Sequence, residues 1–192
     1  MPDVFEVLKK DHNEVKAMLD QLADGPTRAS GATDEELVQR WRLVDNIIME
    51  ESRHEVAEQQ HFWPAMRQLG PEGGRIADQA IEQETAGEET LNKLDALDPG
   101  DRRFESVLAS FASDARAHIA FEEAHAWPLL SATLSQQESA ELAEKIIQAK
   151  KLAPTRPHPM VPPQPGALKT AGPLASAADK IRDVLTGRGR HA

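Results

Sequence analysis

Two short segments of the chain repeat the same polar side chains at the same spacing. Each has a histidine, a glutamate four residues on, a second histidine three residues further, and then a Trp-Pro pair. The two copies are His54, Glu58, His61, Trp63, Pro64 and His118, Glu122, His125, Trp127, Pro128. Positions four and seven residues apart share one face of an α-helix, so the spacing predicts that all three polar groups of each copy point the same way.

The face that carries these groups is predicted to be the buried one. Ile47 and Phe111, each seven residues before the first histidine of a copy, lie on the same apolar stripe. Ionisable groups buried without partners cost free energy on the order of several kcal/mol, and a bound metal ion supplies partners for all of them. The spacing also places Glu58 and Glu122 one turn after a histidine, where a carboxylate could bridge two cations.

The first helix of the chain also contributes a histidine to the same predicted interior. His12 interrupts an apolar stripe at helical spacing near the amino terminus. The apolar members of that stripe are Phe5, Leu8, Val15 and Leu19. A core histidine held by a hydrogen bond is the alternative for this position.

The donor types restrict the metal. Mixed imidazole and carboxylate ligands suit iron, manganese or zinc. The chain has no cysteine, which disfavours copper(I) and excludes thiolate zinc sites, iron–sulfur clusters, disulfides and a thiol nucleophile. No Ser/His/Asp arrangement or Gly-rich phosphate loop competes with the metal hypothesis.

Helical periodicity dominates residues 1–152, and no strand pattern interrupts it. Helix starts are indicated by capping-box pairs at Asp3/Glu6, Thr33/Glu36 and Ser135/Glu138. Pro71 and the Gly73-Gly74 pair are predicted to separate the second helix from the third. The chain is therefore predicted to be all-α, an antiparallel up-down-up-down four-helix bundle with a short fifth helix.

Composition divides the 192 residues into two parts near Leu152. Residues 1–152 are strongly acidic, whereas residues 153–192 form a Pro-rich linker and a basic tail, which is either a short docking helix or disordered. The net charge of −10 argues against a nucleic-acid partner. No apolar run is long enough to span a membrane and no signal peptide is apparent, so we expect a cytoplasmic protein without membrane partners.

The combination of His12 with the two H-x3-E units resembles the hemerythrin and HHE cation-binding family over residues 1 to about 150. The Trp-Pro pairs also resemble the aromatic-Pro pairs that often follow these units, although Trp63 and Trp127 are expected to pack at the bundle end rather than relay electrons. The resemblance implies a four-helix bundle around a non-haem di-iron centre, with carboxylate bridges and room for an oxo or hydroxo bridge.

The sequence departs from the family pattern on the third helix, which has no histidine. The resemblance puts Glu84 where that histidine would face the metals, as an added oxygen ligand, and Glu88 one turn on is either a further ligand or solvated. His61 and His125 either replace the missing imidazoles or orient the carboxylates by hydrogen bonds. This difference argues against simple reversible oxygen carriage.

The metal ligands that follow from the repeat and the resemblance are His12, His54, Glu58, His61, Glu84, His118, Glu122 and His125. Glu58 and Glu122 would bridge two iron ions. The implied function is to bind or detoxify O2, peroxide or nitric oxide, and whether this includes enzymatic turnover as an oxidoreductase stays open. The alternatives are a sensor that acts through residues 153–192, an iron store or donor, and a metal-free helical interaction protein.

Overall fold

The structure, a computed structural model, describes residues 2–158, 175–180 and 182–183, and these residues form helices and connections without any strand. The α-helices are α1 (Val4–Asp24), α2 (Asp34–Ala57), α3 (Trp63–Arg67), α4 (Pro71–Asp95), α5 (Phe104–Phe121), α6 (Trp127–Ser131) and α7 (Gln136–Leu152). A short 3-10 turn, Arg28–Ser30, lies between α1 and α2. The predicted all-α class is confirmed.

Four of these helices close a ring. Helix α1 packs on α2, α2 on α4, α4 on α5, and α5 returns to α1. Helices α3 and α6 continue α2 and α5, and α7 lies against α1 and α2. Short connections between successive long helices give antiparallel neighbours, so the predicted bundle with a fifth helix is confirmed.

The predicted capping boxes fix where three helices begin. Asp3, Thr33 and Ser135 are the N-caps of α1, α2 and α7, and each accepts a hydrogen bond from a backbone N–H of the first turn. In each case the glutamate three residues on bonds back to the cap. These reciprocal bonds satisfy N–H groups that the helix itself leaves without partners.

The apolar core of the described residues has two large clusters along the bundle. One gathers around Leu8, Phe62, Trp63, Met66 and Leu130, and the other around Leu19, Ile47, Leu91, Phe104 and Phe111. Helix α1 contributes Leu8 to the first cluster and Val15 to the second, and His12 lies between them in the chain. The polar residues of the bundle interior therefore lie between two apolar clusters.

The connection into α4 is shorter than the sequence pattern indicates. Gly70, with a φ of +85°, makes the turn, and α4 already begins at Pro71. Proline suits the first position of a helix because its missing N–H has no helical acceptor there. The prediction that the Gly73-Gly74 pair lies in the connection is wrong, because both glycines belong to the first turn of α4. A side chain at Gly73 would meet the backbone oxygen of Met66 at 2.0 Å.

The described part of the tail returns to the end of α7. Residues 175–180 and 182–183 are helical, and Asp179 accepts hydrogen bonds of 3.1 Å from the backbone N–H groups of Thr155 and Arg156. Residues 159–174, which include most of the predicted linker, lie outside the described residues. Among the residues that are described, no helix is both long and apolar enough to cross a membrane.

The two adjacent glycines of α4 give a matched test of this packing. We expect Gly73→Ala to lower the free energy of unfolding by about 2 kcal/mol, because the new methyl group collides with backbone. Gly74→Ala meets nothing within 4 Å and should raise the free energy of unfolding by about 0.5 kcal/mol. Urea denaturation of both variants checks this, and equal stabilities would contradict the described contact.

Candidate metal centre

The structure brings six of the eight residues predicted as ligands into one buried cluster. Each of the four ring helices, or its continuation, supplies at least one of them. They are His12, His54, Glu58, Glu84, His118 and Glu122, and none is more than 8 % exposed. The cluster therefore lies where the four helices face one another.

These residues form two groups that share one carboxylate. His12, His54 and Glu122 make the first group, and Glu58, Glu84, His118 and Glu122 make the second; within each, the ligand atoms lie within 4.8 Å of one another. Glu122 is thus the residue that the two groups have in common. Glu58 belongs to the second group alone, although its Oε2 atom is 3.2 Å from Nε2 of His54 in the first.

Seven inward atoms of the cluster are buried without a hydrogen-bond partner. They are Nε2 of His12, His54 and His118 and both carboxylate oxygens of Glu58 and Glu122. The Nε2 atoms come within 3.1–3.2 Å of glutamate oxygens but do not form aligned hydrogen bonds with them. Buried polar atoms almost always have partners, and imidazole with carboxylate is a donor set that binds divalent metals. The residues present therefore fit a metal ion.

The outward nitrogen of each histidine has a partner on a neighbouring helix. Nδ1 of His54 contacts Asp11 at 3.2 Å, and Nδ1 of His12 contacts Glu123 at 3.1 Å. Nδ1 of His118 contacts the amide oxygen of Gln83 at 3.0 Å. A hydrogen bond donated from Nδ1 leaves the Nε2 lone pair free to bind a metal and fixes the ring orientation.

Two of these outer partners also bind lysine. Lys150 of α7 contacts Asp11 at 2.6 Å, and Lys16 of α1 contacts Glu123 at 3.0 Å. Each lysine offsets the charge of a carboxylate that also binds a histidine. Helix α7, although outside the ring of four, is thereby connected to the cluster through Asp11 and His54.

Glu84 and His12 have aromatic partners. The indole N–H of Trp63 and the amide of Gln59 both donate to Glu84, the latter at 2.7 Å. The Trp127 ring stacks on His12 with centroids 5.0 Å apart and planes 15° apart. Both tryptophans therefore pack against side chains of the cluster.

Electrostatics favours bound protons on Glu58, Glu84 and His118. For Glu122, burial is outweighed by His118 and His12, which lower its pKa. Burial, and then the charge of Glu122, raise the pKa of Glu58, while burial and Glu58 raise the pKa of Glu84 well above its usual value. For His118, burial alone would lower the pKa, but Glu122 and the other carboxylates outweigh it and raise the pKa to about 9. A metal ion must displace such protons, so binding releases them.

The second histidine of each motif copy lies outside the two groups. Helix α2 passes through a π-helical turn, Glu58–Phe62, and α5 through another, Glu122–Ala126. In each turn the N–H of the tryptophan bonds to the glutamate carbonyl five residues back. The extra residue shifts the buried face, so that His61 is partly exposed and His125 is exposed.

The outer partners were not predicted, although the sequence contains a signal for them. Asp11, Gln59, Gln83 and Glu123 each directly adjoin a cluster residue in the chain. Adjacent helical positions are rotated by about 100°, so a neighbour of one ligand faces the next helix instead of the centre. There it bonds a cluster residue from a different helix.

The fold and the cluster define a helical bundle with a buried His/Glu centre for metal cations. The family profile described as hemerythrin HHE cation binding domain matches residues 3–130. The chain belongs to this family. A hemerythrin-like protein of Schizosaccharomyces pombe is 27 % identical over 186 residues, covering 96 % of this chain and 87 % of that protein.

A solved structure supports the same fold. The crystal structure of a hemerythrin HHE cation-binding domain-containing protein from Mycobacterium kansasii superposes with a TM-score of 0.63 at 22 % identity. The match covers 79 % of this chain and 86 % of that one. At this identity the likeness concerns the helical fold.

Asp11 gives a test of the outer partners. We expect Asp11→Asn to weaken metal binding by about 10–100-fold, because His54 loses a charged acceptor and Lys150 loses its counter-ion. The matched control is Asp20→Asn, an exposed position on the same helix. Competition titration against a chelator measures both, and equal affinities for the two variants would contradict the role of Asp11.

The shift in the π-helical turns gives a second test. We expect His125→Ala to retain the full metal content, whereas His118→Ala loses metal from the second group. Elemental analysis of the purified variants decides between these outcomes. Loss of metal in His125→Ala with normal folding would show that this histidine reaches the centre.

Proposed function

We propose that the protein is a non-haem di-iron protein that binds a small redox-active ligand. His12, His54 and Glu122 would hold one iron, and Glu58, Glu84, His118 and Glu122 the other. The observation that carries the proposal is the set of seven buried, unpartnered nitrogen and oxygen atoms that converge between the helices.

The arrangement of the donors supports two metal ions. The ligand atoms form two groups, each within 4.8 Å, that share Glu122 alone. The seven atoms without hydrogen-bond partners are divided between the two groups, so a single ion would leave several of them without a partner. Iron fits nitrogen and oxygen donors without thiolate and is consistent with the cation-binding family of the chain.

The two groups differ in composition, and this difference suggests where a ligand binds. Two histidines and one carboxylate in the first group match the donor set of non-haem Fe(II) sites with open positions. The second group has three carboxylates and one histidine. When bound, a pair of ferrous ions supplies two electrons to O2, peroxide or nitric oxide. We place the small ligand on the side of the first group.

The protein groups then have separate roles around this ligand. Asp11 and Glu123 accept hydrogen bonds from Nδ1 of His54 and His12 and keep their Nε2 atoms directed inward. The apolar clusters on either side limit water access, which strengthens charge interactions inside. Stacking by Trp127 covers one ring face of His12.

The decisive experiment combines metal content with reactivity. Protein from iron-supplemented cells should contain about two irons per chain, and the anaerobic ferrous form should react with at least one of O2, peroxide and nitric oxide without losing iron. Iron that is released to an apo-protein without turnover would favour a store or donor. Zinc, or no stoichiometric metal, would contradict the proposal.

The shared carboxylate gives a variant test of the same proposal. We expect Glu122→Ala to lower iron from about two to less than one per chain, because both groups lose a ligand. Glu82→Ala, an exposed position on α4, is the control and should keep both irons. Full iron retention in Glu122→Ala would refute the bridging assignment.

A further inference from the structure

A strip of acidic side chains beside the centre has no part in the two ligand groups. Glu51 and Glu55 lie on α2 and are 6 % and 3 % exposed. Glu88 on α4 is partly exposed. The strip thus runs from a partly exposed position on α4 to two buried positions on α2.

Glu55 is the unusual member of the strip. Its Oε2 atom is buried without a hydrogen-bond partner. A Cβ atom added at Gly87 would lie 3.4 Å from its Oε1 atom. Glycine at position 87 therefore leaves room between α2 and α4 for this carboxylate. Buried polar atoms almost always have a partner, so this oxygen is suited to bind a cation or a water molecule.

The members of the strip are close neighbours of one another and of the centre. The carboxylates of Glu88, Glu51 and Glu84 lie near enough to Glu55 to interact with it electrostatically. Burial raises the pKa of Glu88 to about 7, opposed by a hydrogen bond from Gln59 and by the charge of His158. The same Gln59 amide donates to Glu84 at 2.7 Å, so it joins the strip to the centre.

The strip lacks the geometry to retain a metal. Within residues 2–158, 175–180 and 182–183, only the two groups of the centre bring three or more ligand atoms within 4.8 Å. Successive single carboxylates attract a cation and can pass it on, but they do not enclose it.

We propose that Glu88 and Glu55 form an uptake path along which a divalent cation moves from the surface, between α2 and α4, to Glu84 and Glu58. The cation is Fe²⁺ if the proposed function holds, and the uptake path rests on that function. Carboxylates beside an entry point raise the local cation concentration and accelerate association.

The test follows the rate of metal loading into the full-length apo-protein. Fe²⁺ is mixed anaerobically in a stopped-flow instrument, and Co²⁺ serves as a second probe with its own absorption bands. We expect Glu88→Gln and Glu55→Gln to load about tenfold more slowly than wild type while reaching the same final metal content. Chelator extraction should slow as well, because the path serves both directions.

Two further variants separate this path from general effects of charge or folding. Glu89→Gln removes the same charge from an exposed neighbour on α4 and should load at the wild-type rate. Gly87→Ala should fold stably, since alanine favours helices, and should load slowly because its methyl group fills the space beside Glu55. Thermal melting of each apo-variant verifies folding.

The possible results are distinguishable. Wild-type rates in both Glu55→Gln and Glu88→Gln, at full metal content, would overturn the uptake path and leave the proposed function standing. A lower final metal content in either variant would make that glutamate a ligand and would also overturn the path. Failure of the wild-type chain to bind metal would overturn both proposals.

Discussion

The interior of this bundle is organised by the cost of burying charge. Three carboxylates and three imidazoles occupy positions that would otherwise be apolar, and the inward atoms of all of them except Glu84 lack hydrogen-bond partners. Burial raises the pKa of Glu58 and Glu84, which shows the cost of holding their negative charges in the interior. The apolar clusters on both sides provide the stability that allows such a centre to exist.

A second layer makes that arrangement specific. The polar residue next to a cluster residue in the chain bonds a cluster residue of another helix, as Asp11 does for His54 and Gln83 for His118. Each ring helix thus supplies ligand side chains to the centre and a hydrogen bond to a cluster residue of its neighbour. A change in helix packing would disturb both layers together, which ties the position of the helices to the geometry of the centre.

The sequence predicted the fold well because its signals are local. Capping boxes and apolar stripes depend on residues within one or two turns, and the repeated motif identified both Glu58 and Glu122. The positions of His61 and His125 were not predicted correctly from the sequence, because a regular α-helix was assumed. One extra residue in each π-helical turn moves them off the buried face, and the Trp-Pro pair that follows is the available hint, since proline cannot donate a helical hydrogen bond.

Anomalous diffraction from crystals of the iron-loaded protein, measured on both sides of the iron absorption edge, tests the central claim most directly. We expect two iron peaks inside the bundle, one bounded by His12, His54 and Glu122 and the other by Glu58, Glu84, His118 and Glu122. A single peak, or iron bound only at surface carboxylates, would contradict it.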